Sequence, residues 1–73
     1  MAVQSDDAKP TTSDLILDAA ERVVARDGAR KLTIDAVVRE SGFSKGGVLY
    51  NFPSKLDLIK GMVARLVSAH TSR

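Results

Sequence analysis

The stretch GFSKGGVLYNFPSK, residues 42–55, gathers groups suited to meeting an anion. Ser44 brings a hydroxyl, Lys45 and Lys55 ammonium groups, Tyr50 a phenol and Asn51 a carboxamide. Ser44 stands where a helix would start. Free N–H groups at a helix start bind phosphate, and a serine there also serves simply as a cap. Lys45 has the reach for a guanine edge or a phosphate; its plain alternative is a solvated surface lysine. Asn51 either donates to a phosphate or caps the turn before Pro53. Lys55, at the first turn of the next helix, sits against the positive end of a helix dipole, which suggests an anion nearby. Thr33, at the start of the preceding helix, can combine a cap with a backbone phosphate contact. Gly46 and Gly47 fall inside the helical pattern, where glycine costs about 1 kcal/mol relative to alanine. A bare backbone would let this helix approach a groove closely, or would let it pack against the helix before it.

Other chemistries lack their parts. The chain has no cysteine, so thiolate catalysis, cysteine metal sites and disulfides are excluded. His70 is the one histidine and has no metal partner at helical spacing. GFSKGG lacks the glycine–lysine–serine/threonine ending and the preceding strand of a phosphate-cradling loop. No Ser/His/Asp set is present that could act as a nucleophile with its base, so the reading is not an enzyme and needs no cofactor or metal. No apolar run approaches a membrane span and no signal-peptide core precedes the first helix, so the expected location is the cytoplasm, with no membrane contact.

The chain is 73 residues with net charge +2, 44% hydrophobic and 27% charged, enough for one small domain. Its charge is uneven. Residues 1–29 hold three basic and six acidic residues, and residues 30–73 hold eight basic and three acidic ones. A basic half on a near-neutral chain points to a polyanionic partner.

These groups are carried by helical patterns. Residues 1–12 are polar and unpatterned and read as a disordered arm. In SDLILDAAERVVARDG, Leu15, Ile16, Ala19, Ala20, Val23 and Val24 make an apolar stripe. Thr11, Thr12 or Ser13 can cap this helix, Asp18 can pair with Arg22 at i,i+4, and Gly28 supplies a left-handed stop. LTIDAVVRESG repeats the design, with Thr33 as cap, Ile34, Val37 and Val38 facing inward, and Gly42 as stop. FSKGGVLYNF follows at once, capped by Ser44, with Phe43, Val48 and Phe52 assigned to the core. PSKLDLIKGMVARLVSAH opens on Pro53 and a Ser54/Asp57 capping box. Its Leu56, Ile59, Met62, Val63, Leu66 and Val67 form a broad apolar face. The fold class is therefore all-α, a small helical bundle. Two short helices joined by a glycine-containing turn have the form of a helix-turn-helix.

The run TIDAVVRESGFSKGGVLYNFPSKLDLI, with ILDAAERVVARDGARKLT before it, resembles the N-terminal DNA-binding domain of the TetR family of bacterial repressors. The likeness covers residues 13–59, and the combination of SxGxxxxY with FPSK is its most specific part. It implies a homeodomain-like, three-helix DNA-binding domain over residues 13–73 with the start of a fourth helix. It also implies a C-terminal ligand-binding and dimerisation domain that this chain lacks. By that likeness Thr33, Ser44, Lys45, Gly46, Gly47, Leu49, Tyr50, Asn51 and Lys55 are the DNA-facing set, with Tyr50 donating to phosphate and Lys55 clamping one. Three positions depart from the family's habit: Leu49 replaces a frequent aromatic, Asn51 a frequent histidine, and Gly47 a threonine-like residue. The implied partner is a palindromic double-stranded operator. The full-length regulator would be a homodimer with a small-molecule inducer in the missing domain, and this fragment a monomer, its stripes being spent on its own core. The competing reading is a helical protein–protein module whose basic face docks an acidic partner.

Overall fold

The computed structural model describes residues 11–71, with side chains described to residue 68; the expected N-terminal arm lies outside them up to residue 10. Four α-helices and no strand are found among the described residues: α1 (Thr12–Asp27), α2 (Ile34–Ser41), α3 (Lys45–Asn51) and α4 (Lys55–Thr71). None is long and apolar enough to cross a membrane.

The helix ends follow local chemistry. Thr11 caps α1: its hydroxyl accepts from the Asp14 N–H, and the Asp14 carboxylate accepts from the Thr11 N–H, each at 3.1 Å. The helix therefore starts one residue before the boundary expected at 13. Gly28 ends α1 with φ 94° and ψ 156°, not in the left-handed helical region expected of it. That positive-φ, extended-ψ geometry is open essentially to glycine alone. It leads the chain into a 3₁₀ turn, Ala29–Lys31, which the sequence pattern does not announce. Gly42 is left-handed as expected, at φ 80° and ψ 0°, and its N–H closes α2 on the Val38 carbonyl. At α4 the Ser54 hydroxyl accepts from the Asp57 N–H at 3.3 Å and donates to the Asp57 carboxylate at 2.8 Å. The acid thus answers through the hydroxyl in place of the Ser54 backbone.

The core holds Ile16, Leu17, Ala19, Ala20 and Val23 of α1, Leu32, Val37, Val48, Phe52 and Leu58. Phe43, Ile34 and Val38 pack against it, half-buried. Two helical faces differ from the sequence pattern. On α1, Leu15 is exposed and Leu17 is buried in its stead. On α4 the difference is larger: Leu56, Ile59, Val63, Leu66 and Val67 are all exposed, and the buried residue is Leu58. Gly61 explains the docking. A Cβ at Gly61 would lie 3.0 Å from Phe52 Cε1 and 3.1 Å from Leu17 Cδ2. The bare backbone lets α4 seat directly on these two side chains, which turns the broad apolar stripe outward.

Ion pairs lock the frame. Arg65 of α4 reaches Asp18 at 2.9 Å and Glu21 at 2.7 Å, and donates to the Asp14 carbonyl at 3.2 Å, so it lies along α1. Arg22 meets Glu40 at 2.9 Å and Arg26 meets it at 3.0 Å, joining α1 to α2. The expected Asp18–Arg22 pair is not made, because each residue has a partner on another helix.

Candidate nucleic-acid interface

A three-residue turn, Gly42 to Ser44, brings α3 across α2, and α3 packs chiefly on that helix. The Ser41 hydroxyl accepts from the Phe43 N–H at 3.2 Å, which holds the turn. Thr33 and Ser44 then cap the two helices alike: each hydroxyl accepts at 3.0 Å from the N–H three residues on, Ala36 and Gly47 respectively. Lys45 Nζ lies 3.3 Å from Asp35 Oδ1, which sets the first turns of α2 and α3 side by side. Both side chains remain mostly exposed, so the pair is weakly held and available to a competing ligand.

The solvent side of α3 is open. Tyr50 is 88% exposed, so its ring is not spent on the core. A Cβ at Gly46 would meet nothing within 4 Å, and one at Gly47 would meet only the Ser44 hydroxyl, at 3.2 Å. Neither glycine is therefore required by packing against α2. Leu49 is half-buried, with Val48 carrying the helix's full burial. Asn51 is also half-buried, and its carboxamide has partners inside the protein: Ser13 and the Gly47 carbonyl, each at 3.0 Å. Lys55, the first residue of α4, is exposed and pairs with no carboxylate among the described residues; it borders a groove with Ile59 and Met62.

The ion pairs decide what charge is left over. Asp14, Asp18, Glu21, Asp27 and Glu40 are all met by Arg22, Arg26 or Arg65. The Arg22 and Arg26 guanidinium groups hold the Glu40 carboxyl below the usual carboxylate range, and Arg26 does the same for Asp27. Arg65 is raised above its ordinary value by Glu21 and Asp18. Asp14, Asp18, Glu21 and Asp27 of α1 and Glu40 of α2 thus share three arginines within the fold. Arg30, Lys31, Arg39, Lys55 and Lys60 make no such ion pair among the described residues, and the net positive charge is carried by these cations. Sequence reasoning does not single out Arg30, Lys31 and Arg39. Their signal is a basic pair beside Gly28 and an arginine one turn after Asp35, which charge counting alone does not separate from a solvated surface.

Comparison with known proteins shows the family. Residues 16–62 match the family model described as bacterial regulatory proteins, tetR family. Over 53 residues, 73% of this chain, it is 32% identical to the HTH-type transcriptional regulator SrpR of Pseudomonas putida, covering 25% of that protein. It is likewise 32% identical over 53 residues to the uncharacterized HTH-type transcriptional regulator TtgW of the same species, covering 40% of it. The chain thus spans a quarter to two-fifths of the length of these relatives, and no solved structure matches it. With its capped helix pair, glycine turn and matched span, the chain belongs to the TetR family of bacterial regulatory proteins.

Proposed function

We propose that this chain binds double-stranded DNA sequence-specifically, as the DNA-reading part of a transcriptional repressor. Helix α3 enters the major groove and α2 crosses the backbone. The observation that carries this reading is the bare outer side of α3: an exposed Tyr50, an unobstructed Gly46, and Lys45 held only by an exposed carboxylate. Thr33, Ser44, Tyr50 and Lys55 position the domain on phosphates, while Lys45 reads a base edge. Gly46 and Gly47 admit the backbone closely, and Leu49 lies at the edge of the contact. The names of both relatives, HTH-type transcriptional regulators, support the same class. No enzymatic step or cofactor enters this function, and the protein works in the cytoplasm.

The operator is palindromic and the full-length regulator a homodimer that takes a small-molecule inducer in a further domain. The expectation that this 73-residue chain is a monomer rests on a dimer interface lying in that further domain and on the chain's apolar stripes being spent mostly on its own core. Leu56, Ile59, Val63, Leu66 and Val67 of α4 are exposed, so the second ground does not extend to that helix, and the first stands. Sedimentation equilibrium decides the oligomeric state.

The functional test is a binding-site selection from random duplex, followed by affinity measured against salt. A recovered consensus, bound more tightly than random duplex with a steep salt dependence, is expected. Recovery of no consensus, with binding insensitive to salt, refutes the reading and favours the acidic-protein alternative.

A further inference from the structure

We infer that Asn51 is a positioning residue for the recognition helix, acting with Ser13 of α1, and does not itself contact phosphate; this rests on the DNA-binding reading above. Asn51 is the last residue of α3, and Ser13 is the second residue of α1. The Ser13 hydroxyl donates to Asn51 Oδ1 at 3.0 Å, and Asn51 Nδ2 donates to the Gly47 carbonyl at 3.0 Å. The amide can face only one way. The Gly47 carbonyl accepts and never donates, so it takes the NH₂ end, which leaves the oxygen for the hydroxyl. Both ends of the carboxamide are therefore engaged within the protein.

Helix α3 needs such a tie. It has seven residues, two of them glycine, and Val48 is its one buried residue. A helix of that length is marginal on its own, and a single buried side chain constrains its axis more than its roll. The Ser44 cap holds one end. The Ser13–Asn51–Gly47 chain holds the other and refers it to α1, the longer helix that supplies half of the core. Tyr50 and Lys45 are thereby presented at a fixed roll. A base-reading contact tolerates little misplacement, whereas nonspecific attraction to phosphates tolerates more.

The test compares wild type, Ser13→Ala, Asn51→Ala, the double variant and Ser13→Thr, which retains a hydroxyl. Fluorescence anisotropy follows binding to a selected duplex and to random duplex over a range of salt, at temperatures where circular dichroism shows each variant folded. Each alanine variant should lose about threefold to tenfold for the selected duplex. Random-duplex affinity and salt slope should hold, the double variant should lose no more than the worse single, and Ser13→Thr should bind as wild type. The inference is overturned if Ser13→Ala is silent while Asn51→Ala weakens both duplexes and lowers the salt slope by about one; Asn51 then touches phosphate. Additive losses overturn it as well. A wild-type chain that prefers no duplex overturns the positioning role along with the reading it rests on. Non-additive thermal unfolding of the same variants without DNA then assigns that failure to the reading and not to the brace.

Discussion

Gly46→Ala separates the cost of a glycine to helix α3 from its use. Gly46 lies in the first turn of the helix with an ordinary negative-φ backbone, and an added Cβ meets nothing within 4 Å. The methyl therefore enters without a clash, and the folded domain should gain about 0.5–1 kcal/mol from restricting the unfolded chain. For a domain of this size that corresponds to a melting temperature higher by about 2–8 °C. If the bare backbone exists to approach the groove, the same methyl stands between α3 and the base edges. A displacement costing about 1.4 kcal/mol lowers affinity tenfold. Differential scanning calorimetry and operator titration on the one variant read both quantities. A more stable protein that binds DNA unchanged refutes the close-approach account. Gly47 is the poorer probe, since a methyl there would crowd the Ser44 hydroxyl at 3.2 Å and disturb the cap.

Gly61→Ala should do the reverse of Gly46→Ala. Its methyl presses on Phe52 and Leu17, so overpacking of about 1–3 kcal/mol outweighs a helix gain of about 1 kcal/mol. A lower melting temperature is expected, and an unchanged or higher one would show that the Phe52 and Leu17 side chains yield to the methyl. Lys55→Ala should weaken selected and random duplex alike and reduce the salt slope by about one, while Lys45→Ala should cost about 1–3 kcal/mol on the selected site alone. Identical loss patterns for the two lysines would end the division into clamp and reader. Glu40→Gln tests the α1–α2 ion pairs through pH. Hydrogen bonds from Arg22 and Arg26 hold this carboxyl below its ordinary value in the folded state. The unfolded chain thus takes up the proton first, and the Glu40 contribution, complete above the ordinary carboxylate range, is lost as pH falls through the folded value. Glu40→Gln should therefore be less stable near neutrality and lose less on acidification, and parallel melting-temperature profiles from about pH 6 to about pH 3 would contradict this.

Much of this molecule is local, and the local part was legible. Thr33 and Ser44 cap their helices, and Gly42 is left-handed, because each feature depends only on residues within four positions along the chain. The same holds for the helix-turn-helix spacing, since a three-residue turn ending on a capping serine leaves α3 little choice of where to start. Charge asymmetry was legible as a count, and its meaning was not. Asp14, Asp18 and Glu21 share one side of α1, but that Arg65 would lie along them depends on where α4 crosses. Only after those pairs are made does it follow that the unpaired cations belong to the basic half.

What tertiary structure alone decided is which face of each helix turns inward. On α4 the 3.6-residue period supports two faces: the larger apolar stripe from Leu56 to Val67, and the narrower one bearing Leu58 and Gly61, with Met62 of the larger stripe at their border and half-buried. Hydrophobicity favours the first. Close packing selects the second, because Gly61 removes the Cβ that would hold α4 off Leu17 and Phe52. The fate of neighbouring Tyr50 and Asn51 was decided in the same way. Both carry groups able to meet a phosphate, yet the end of α3 turns the phenol to solvent and the carboxamide to Ser13, a residue 38 positions away. A one-dimensional pattern holds the chemistry of those two side chains. Their direction is a property of the helix's roll, which is set by contacts between residues distant in the chain.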